Sequence, residues 1–345
     1  GGGGGREEGD ARGAEERERR GEGSEGTGQA SGVAGHGQRV RLWGRKAEAS
    51  RQMAEERLNT RYLPGCPLPE TLEPVADLAA ALQGATAVIV AVPSHALRET
   101  CTAIAGSIGD QVPVACAAKG LEPESCKLPL DVIAEVLGEA WPLAVISGPT
   151  FAKEIGQGMP SAVSIGAGSL DVAEAFADAL HGAGFRAYTT DDIVGVQIGG
   201  AVKNVLAIGV GIADGLNLGA NTRAALITRG LVEMSRLGEA LGARSETLMG
   251  LSGMGDLVLT CTDNQSRNRR FGLALARGES VDEAMEAIGQ VVEGYRVTRE
   301  VRELARSLGI EMPITEQVYQ VLYEGVAPVA AVLSLSSRPQ RAETE

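Results

Sequence analysis

Hydrophobic and polar residues follow different patterns in the two halves of the chain. Between residues 39 and 189, short apolar runs alternate with amphipathic stretches. The apolar runs predict strands over 39–43, 87–92, 112–118, 143–147, 162–165 and 186–189. The amphipathic stretches predict helices over 77–83, 94–108, 129–136 and 171–181. Strands that alternate with helices indicate an α/β fold with a mainly parallel, doubly wound sheet.

Strand signals stop after Asp192, and the rest of the pattern is helical. Helices are predicted over 199–214, 222–241, 269–276, 281–288, 295–308, 315–323 and 328–333, with a glycine-punctuated segment over 252–261. We therefore expect an α/β domain over 21–192 and an all-α domain over 193–336. Segments 1–20 and 337–345 are rich in small, polar and charged residues, and we expect both to be disordered; the alternative for 1–20 is a short frayed charged helix.

The predicted helix that opens the second half contains an unusual pair of polar residues. Its sequence from 199 to 216 is GGAVKNVLAIGVGIADGL, almost entirely small and apolar, with Lys203 and Asn204 side by side. An ammonium in an apolar helix is costly unless it is paired or functional, and a desolvated lysine is suited to proton transfer. The alternative is that Lys203 extends its apolar stem from the helix to solvent.

Composition excludes several classes of function. The chain has 345 residues and a net charge of -13, which argues against a general binder of nucleic acid or anionic membranes. The sequence has no uninterrupted run of about 18 apolar residues, so we expect no stable membrane insertion. Residues 1–20 contain no apolar run typical of a secretory signal. The 5 cysteines show no metal-ligand spacing with the 3 histidines, so we expect reduced thiols, no metal site and a cytoplasmic protein.

A glycine pattern near the start indicates nucleotide binding. Gly21, Gly23 and Gly26 match G-x-G-x-x-G, in which glycines let backbone amides approach a pyrophosphate at a helix N-terminus. In a chain with 47 glycines this match alone is weak. Arg45 and Lys46 follow the next predicted strand, where a basic group holds a ribose 2′-phosphate. This pair favours NADP or an unselective site; the alternative is two surface cations.

The residues before the glycines contradict that pattern. A dinucleotide-binding loop follows a buried central strand, but residues 14–20 read AEERERR, which cannot be buried. The first strand is therefore predicted to be degenerate. Glu22 and Glu25 also place negative charge beside the expected pyrophosphate.

Residues suited to binding an anionic ligand recur at three further places. Lys119 follows a buried strand, and the segment SGPTFA (147–152) follows another; open α/β sheets bind ligands at such strand ends. Ser266, Arg267 and Asn268 open a predicted helix, an arrangement that suits phosphate. Asp256 could orient a lysine or accept from a substrate hydroxyl. The alternatives are an ordinary strand-end lysine, a turn, a solvated basic cap and, for Asp256, a helix N-cap.

From about residue 21 to residue 334 the chain resembles the bacterial-type NAD(P)-dependent glycerol-3-phosphate dehydrogenases. Eleven ordered segments carry the resemblance: GEGSEGT (21–27), RLWGR (41–45), RYLPG (61–65), AVPSHAL (91–97), AKGL (118–121), SGPTFAKEI (147–155), VKNVLAIG (202–209), NTRAALITR (221–229), LSGMGDLVLTC (251–261), SRNRRFG (266–272) and VVEG (291–294). The resemblance implies a Rossmann-like sheet and an all-α C-terminal domain. It also implies reversible reduction of dihydroxyacetone phosphate to sn-glycerol 3-phosphate by NADPH or NADH, for phospholipid synthesis.

Site residues follow from the matched segments, as what the resemblance implies. Lys203 becomes the proton donor or acceptor at the substrate C2 oxygen. The substrate is expected to contact Lys119, Gly148, Thr150, Lys203, Asp256, Ser266, Arg267 and Asn268. The cofactor is expected to contact Ser24, Glu25, Arg45, Lys46, Tyr62, Lys119, Ala152, Arg267, Val291 and Glu293. In its loop the chain departs from the family, with Glu25 where an aromatic residue is usual and Glu22 where a small one is usual.

Two alternatives stay open from the sequence alone. One is a related reductase of the 6-phosphogluconate or 2-hydroxyacid type, which shares the two-domain plan. The other is a non-catalytic protein that has lost its first strand and keeps only a helical domain able to oligomerise. The oligomeric state, including a homodimer, also stays open.

Overall fold

The computed structural model describes residues 24–182 and 184–339. Strands are β1 (Val40–Trp43), β2 (Leu72–Val75), β3 (Val88–Val90), β4 (Val114–Cys116), β5 (Leu143–Ser147), β6 (Ser161–Ala167) and β7 (Phe185–Thr190). Helices of the same half are α1 (Ser24–Gly35), α2 (Ala47–Glu56), α3 (Leu78–Leu82), α4 (Leu97–Ala105, preceded by the 3₁₀ turn Ser94–Ala96), α5 (Pro129–Leu137), α6 (Ala152–Gly156) and α7 (Leu170–Leu180). Strands alternating with helices confirm the predicted α/β class.

The strands form two sheets within the described residues. β1 pairs with β2 in parallel, and the other sheet has the order β3-β4-β5-β6-β7. Every pair in the larger sheet is parallel except β5 with β6, which is antiparallel. A parallel connection usually needs a full crossover helix, whereas only the 5-residue α6 lies between β5 and β6. The chain therefore turns back, and the sheet is mainly parallel, as predicted.

Several predictions concern parts of the chain outside the described residues. These are the disordered segment over 1–20, the degenerate strand over 14–20, Gly21, Glu22 and Gly23 of the glycine loop, and positions 340–345 of the tail. The described part of the loop, from Ser24, already belongs to α1. On the described part of the chain, β1 and β3 each pair with one neighbour.

The second half is helical, as predicted. Its helices are α8 (Ile193–Gly215), α9 (Gly219–Ala240), α10 (Ser245–Leu248), α11 (Asp256–Thr262, preceded by the π-helical turn Leu251–Gly255), α12 (Arg267–Ala276), α13 (Val281–Ile288), α14 (Glu293–Ser307), α15 (Pro313–Tyr323) and α16 (Pro328–Ser336). No range was predicted for β2, α1, α2, α6 and α10, although the glycine pattern implied a helix N-terminus near the start of α1.

Helix α8 is the centre of this half. By length and composition it could cross a membrane, but 83% of its most apolar window is buried inside the protein. The other helices pack around it, and its first turn also reaches the sheet, where Val196 joins Val114 and Val145 in one apolar cluster. The two halves thus share apolar packing at the start of α8. This position is close to residue 192, where the domain boundary remains a prediction.

Glycines bring α8 and α12 into direct backbone contact. A Cβ at Gly211 would lie 2.2 Å from the carbonyl oxygen of Arg269, and one at Gly272 would lie 2.2 Å from that of Ile208. No larger side chain fits at either position unless the helices separate. The contact fixes α12, which begins at Arg267, against the helix that carries Lys203.

We expect Gly211→Ala to destabilise the protein strongly, because its Cβ would overlap a backbone oxygen that cannot rotate away. Overpacking of this kind costs about 1–3 kcal/mol or more. The matched control is Gly209→Ala on the same helix, where the added Cβ meets the side chain of Val318 at 3.2 Å. Calorimetric melting temperatures compare the two variants. Equal melting temperatures would contradict the close-contact argument.

Candidate active site

One carboxylate holds two lysines in the interior. The Asp256 Oδ1 atom accepts from Lys203 Nζ at 2.6 Å, and its Oδ2 atom accepts from Lys119 Nζ at 2.8 Å. The exposed fractions of these side chains are 2% for Asp256, 8% for Lys203 and 6% for Lys119. The Lys203 ammonium is therefore buried and paired rather than extended to bulk solvent. Asp256, the first residue of α11, binds the lysines with both oxygens.

Each lysine has a second partner that orients it. Lys203 Nζ lies 3.1 Å from the hydroxyl of Thr260, which stands one turn after Asp256 on α11. Lys119 follows β4, and its Nζ donates to the carbonyl oxygen of Gly148, just after β5, at 3.0 Å. The ends of two neighbouring parallel strands thus place Lys119 against the helical half.

The shared carboxylate affects the two lysines differently. Burial lowers the pKa of Lys203, and the nearby Lys119 charge lowers it further, so that the attraction of Asp256 does not restore its usual value. Burial also acts to lower the pKa of Lys119, but Asp256, Glu25 and Glu293 outweigh it and the pKa is raised. Burial opposes ionisation of Asp256, yet the two ammonium groups hold the pKa of its carboxyl below the usual range. Lys203 is therefore the member that releases its proton more readily.

A chain of amide groups continues from this cluster. Asn204 Nδ2 donates to the carbonyl oxygen of Lys119 at 3.1 Å. Asn268 Nδ2 donates to Asn204 Oδ1 at 2.9 Å, and Asn268 Oδ1 accepts from the backbone N–H of Gly294 at 2.9 Å. These bonds fix the first turns of α12 and α14 against α8. Asn268 is thereby oriented by its neighbours.

A cleft opens above the lysines. Its lining residues are Glu25, Lys119, Thr150, Phe151, Lys203, Asn204, Asp256, Thr260, Gln265, Ser266, Arg267, Asn268 and Glu293. Across it, an Arg267 guanidinium nitrogen lies 3.7 Å from a Glu25 oxygen. Burial and the neighbouring Glu25 raise the pKa of Glu293 to about 7. The cleft thus has two lysines at its floor, and an arginine and two glutamates at its side.

Most of the predicted substrate residues come together here. Lys119, Thr150, Lys203, Asp256, Ser266, Arg267 and Asn268 line the cleft, and Gly148 lies beside it through its carbonyl bond to Lys119. The Ser266 hydroxyl oxygen accepts from the backbone N–H of Arg269 at 3.2 Å, so Ser266 also caps α12. Ser266 is therefore the N-cap of α12. Asp256 was given the alternative of a helix N-cap, but its carboxylate binds the two lysines.

The predicted cofactor residues are more dispersed. Glu25, Lys119, Arg267 and Glu293 line the cleft. Five others lie outside its lining: Arg45 and Lys46 between β1 and α2, Tyr62 after α2, Ala152 at the start of α6, and Val291 between α13 and α14. Ser24 is the first residue of α1. Arg45 and Lys46 are exposed, and an Arg45 nitrogen is 3.9 Å from a Glu99 oxygen.

Four lining residues were not predicted as site residues: Phe151, Asn204, Thr260 and Gln265. Asn204 had a signal, since it stands next to Lys203 in an apolar helix. Thr260 had a weaker one, because residues 4 apart share a helix face and it follows Asp256 at that spacing. Phe151 lies in the segment 147–152 that was expected to bind a ligand, whereas Gln265 has no comparable signal in the sequence.

The described residues suit a dinucleotide extending from this cleft. The 12-residue helix α1 starts at Ser24 beside the cleft-lining Glu25, and a helix N-terminus favours phosphate groups. A Cβ at Gly26 would lie 3.6 Å from Ala91, just after β3, and one at Gly28 would lie 2.9 Å from the backbone of Ala152. Helix α1 thus packs at the carboxyl end of the sheet, where open α/β sheets bind nucleotides.

Comparisons with known proteins agree with this arrangement. Residues 20–173 match the model of the NAD-dependent glycerol-3-phosphate dehydrogenase N-terminus, and residues 192–333 match that of its C-terminus. The chain is 54% identical to the glycerol-3-phosphate dehydrogenase [NAD(P)+] of Shewanella halifaxensis, over 94% of this chain and 96% of that one. It is 55% identical to the enzyme of the same name from Pseudoalteromonas translucida, over 94% and 97%.

A solved structure shows the same architecture. The crystal structure of glycerol-3-phosphate dehydrogenase from Coxiella burnetii superposes with a TM-score of 0.89 at 48% identity, covering 92% of this chain and 97% of that one. The matches span both halves of the chain, and they favour this family over the related reductases that the sequence left open. The chain belongs to the NAD-dependent glycerol-3-phosphate dehydrogenase family.

Proposed function

We propose that this protein catalyses the reversible reduction of dihydroxyacetone phosphate to sn-glycerol 3-phosphate with NADH or NADPH, supplying the backbone of glycerophospholipids. The observation that carries the proposal is the buried carboxylate of Asp256, which holds Lys203 and Lys119 side by side at the floor of a cleft. Two ammonium groups sharing one carboxylate suit a reaction in which negative charge develops on a substrate oxygen.

The start of α12 is the part of the cleft that suits a phosphate group. Arg267 supplies a guanidinium, Asn268 an amide and Ser266 a hydroxyl, and the helix N-terminus adds its dipole. These groups line the same cleft as Lys119 and Lys203. A phosphate bound at the start of α12 therefore places the rest of a small substrate over the two lysines. Binding energy at the phosphate is thereby used to orient the reacting carbon.

The nicotinamide cofactor, when bound, supplies or accepts the hydride at substrate C2. In our proposal the cofactor contacts Ser24, Glu25, Tyr62 and Ala152 of the α/β half and Val291 and Glu293 of the helical half. Arg45 and Lys46 approach the ribose 2′ position. The exposure of these two cations after β1 supports acceptance of a 2′-phosphate.

Lys203 handles the proton at the substrate C2 oxygen in this scheme. Its lowered pKa suits a group that gives a proton in reduction and takes one in oxidation. Lys119, whose pKa is raised, stays charged and stabilises the developing alkoxide. Asp256 keeps both nitrogens in place, and the Thr260 hydroxyl gives Lys203 a second partner.

We further propose that the enzyme acts in the cytoplasm, without insertion into a membrane, and that it forms a homodimer. The burial of α8 against the protein's own helices supports the absence of insertion. Light scattering on the purified protein measures its mass and thereby tests the dimer.

We expect the purified protein to oxidise NADPH, and also NADH, when dihydroxyacetone phosphate is added. Absorbance at the nicotinamide band measures the rate, and dihydroxyacetone without phosphate is the matched control substrate. A folded protein that oxidises neither cofactor with the phosphorylated substrate would favour the non-catalytic alternative.

We expect Lys203→Ala to lower kcat by about 100-fold or more, the usual scale for loss of a general acid–base. In the oxidation direction, wild-type kcat should rise with pH as the amine becomes neutral, with a midpoint below the usual lysine value of 10.5. In the reduction direction kcat should fall over the same range, because the acid is lost.

The control for Lys203 is Lys153→Ala, which removes an exposed lysine from α6. It should leave kcat and both pH profiles unchanged. If Lys203→Ala lowered only the melting temperature and kept the wild-type kcat and profile, Lys203 would have a purely structural role.

We expect Arg267→Ala to act mainly on KM for dihydroxyacetone phosphate. A charge-assisted hydrogen bond contributes about 1.5–3 kcal/mol, which corresponds to an increase of roughly 10- to 150-fold. The matched control is Arg270→Ala, which removes the exposed arginine one turn further along α12. Equal KM values in the two variants would contradict the assigned phosphate contact.

A further inference from the structure

The carboxylate of Glu25 stands where an anionic ligand is expected to bind. Its Oε1 atom is 3.7 Å from a guanidinium nitrogen of Arg267, and the exposed fractions of the two side chains are 36% and 18%. Both residues line the same cleft, Glu25 from the first turn of α1 and Arg267 from the first turn of α12. The guanidinium is therefore already opposed by a carboxylate of the protein.

Charges on the described lining residues of the cleft cancel when every group is ionised. The cations are Lys119, Lys203 and Arg267, and the carboxylates are Glu25, Asp256 and Glu293. Asp256 is occupied by the lysines. Glu25 and Glu293 thus offset the remaining attraction for an incoming phosphate, and Glu25 is the one in an ion pair with Arg267.

We propose that Glu25 competes with phosphate-bearing ligands for Arg267 and so weakens their binding to the open cleft. The inference rests on the proposed function only in taking Arg267 as the phosphate-binding side chain. A phosphate that enters must either displace the Glu25 carboxylate or bind beside it, and both cost free energy through lost attraction or like-charge repulsion. Glu25 is then a specificity-determining residue, because an anionic ligand binds only if its attraction to Arg267 exceeds that of the Glu25 carboxylate.

The negative charge of Glu25 shifts the pKa values of neighbouring groups in the cleft. Glu25 helps to raise the pKa of Lys119, which is bonded to Asp256 at the cleft floor. It also adds to burial in raising the pKa of Glu293 to about 7. Its negative charge therefore acts on several groups that are expected to meet the ligand.

The experiment compares inorganic phosphate binding to the full-length wild-type protein and to Glu25→Gln, which keeps the size of the side chain and removes its charge. Calorimetric titration measures the dissociation constant without any turnover. We expect Glu25→Gln to bind phosphate about 10-fold more tightly, and to show a lower KM for dihydroxyacetone phosphate. The charge control is Glu48→Gln, in α2, whose side chain is 87% exposed.

A double-mutant cycle assigns the effect to Arg267. In the Arg267→Ala background, Glu25→Gln should increase phosphate affinity by a smaller factor than in the wild-type background, because the competing pair no longer exists and only like-charge repulsion remains. Melting temperatures check that each variant is folded, and Glu25→Ala replaces Glu25→Gln if the latter unfolds.

Four results would overturn the proposal, and three of them concern the comparison between variants. They are equal or weaker phosphate binding by Glu25→Gln, the same gain in Glu48→Gln, and an undiminished gain without Arg267. Absence of phosphate binding in both wild type and Glu25→Gln would also overturn it. Tighter phosphate binding in a protein that does not turn over dihydroxyacetone phosphate would instead support the competition while contradicting the proposed reaction.

Discussion

The carboxylate of Asp256 is the constraint on which the candidate site depends. It joins Lys203, on the central helix, to Lys119, which follows a strand of the sheet. Two buried ammonium groups without this partner would repel each other, and each would carry a desolvation penalty of several kcal/mol. The carboxylate offsets this repulsion and at the same time links the α/β half to the helical half. Site geometry and the relation of the two halves therefore rest on the same ion pairs.

The sharing of one carboxylate between two lysines also determines the net charge of the cluster in each protonation state. The buried cluster carries an excess of one positive charge when all three groups are ionised, which attracts a developing alkoxide. Loss of one proton gives a neutral cluster, so a proton can leave without creating a buried net charge. Glu25 and Glu293 favour retention of the charge on Lys119, and Lys119 disfavours it on Lys203. The surroundings thus shift the pKa values of two residues of the same type in opposite directions, which agrees with the separate roles that we propose for them.

Local sequence signals predicted the fold class and the main candidate residues for identifiable reasons. Lys203 contrasts with an apolar helix, and Lys119 ends an apolar strand, so both were visible without a structure. The start of α8 was placed too late, at 199, because glycines interrupt the pattern. In the structure Asp192 caps the helix by accepting from the N–H of Gly195 at 2.8 Å, and tertiary packing compensates for the glycines.

Other features depend on contacts between distant residues and have no local signal. The direction of β6 relative to β5 is one, since an apolar strand reads the same way in either orientation. Gln265 is another, because nothing in a polar loop indicates which cleft it borders. The placement of Glu25 beside Arg267 likewise required the structure, although Glu25 was already expected to put negative charge near the bound cofactor.

The glycine contact between α8 and α12 has a consequence for how the cleft can change shape. Because backbone touches backbone at Gly211 and Gly272, neither helix can slide along the other without a collision. Lys203 and Arg267 are consequently carried on helices whose relative position is fixed, and only their side chains can rotate to meet a ligand. A change in the width of the cleft must therefore come from the α/β half, which contributes Glu25, Lys119, Thr150 and Phe151 to the lining.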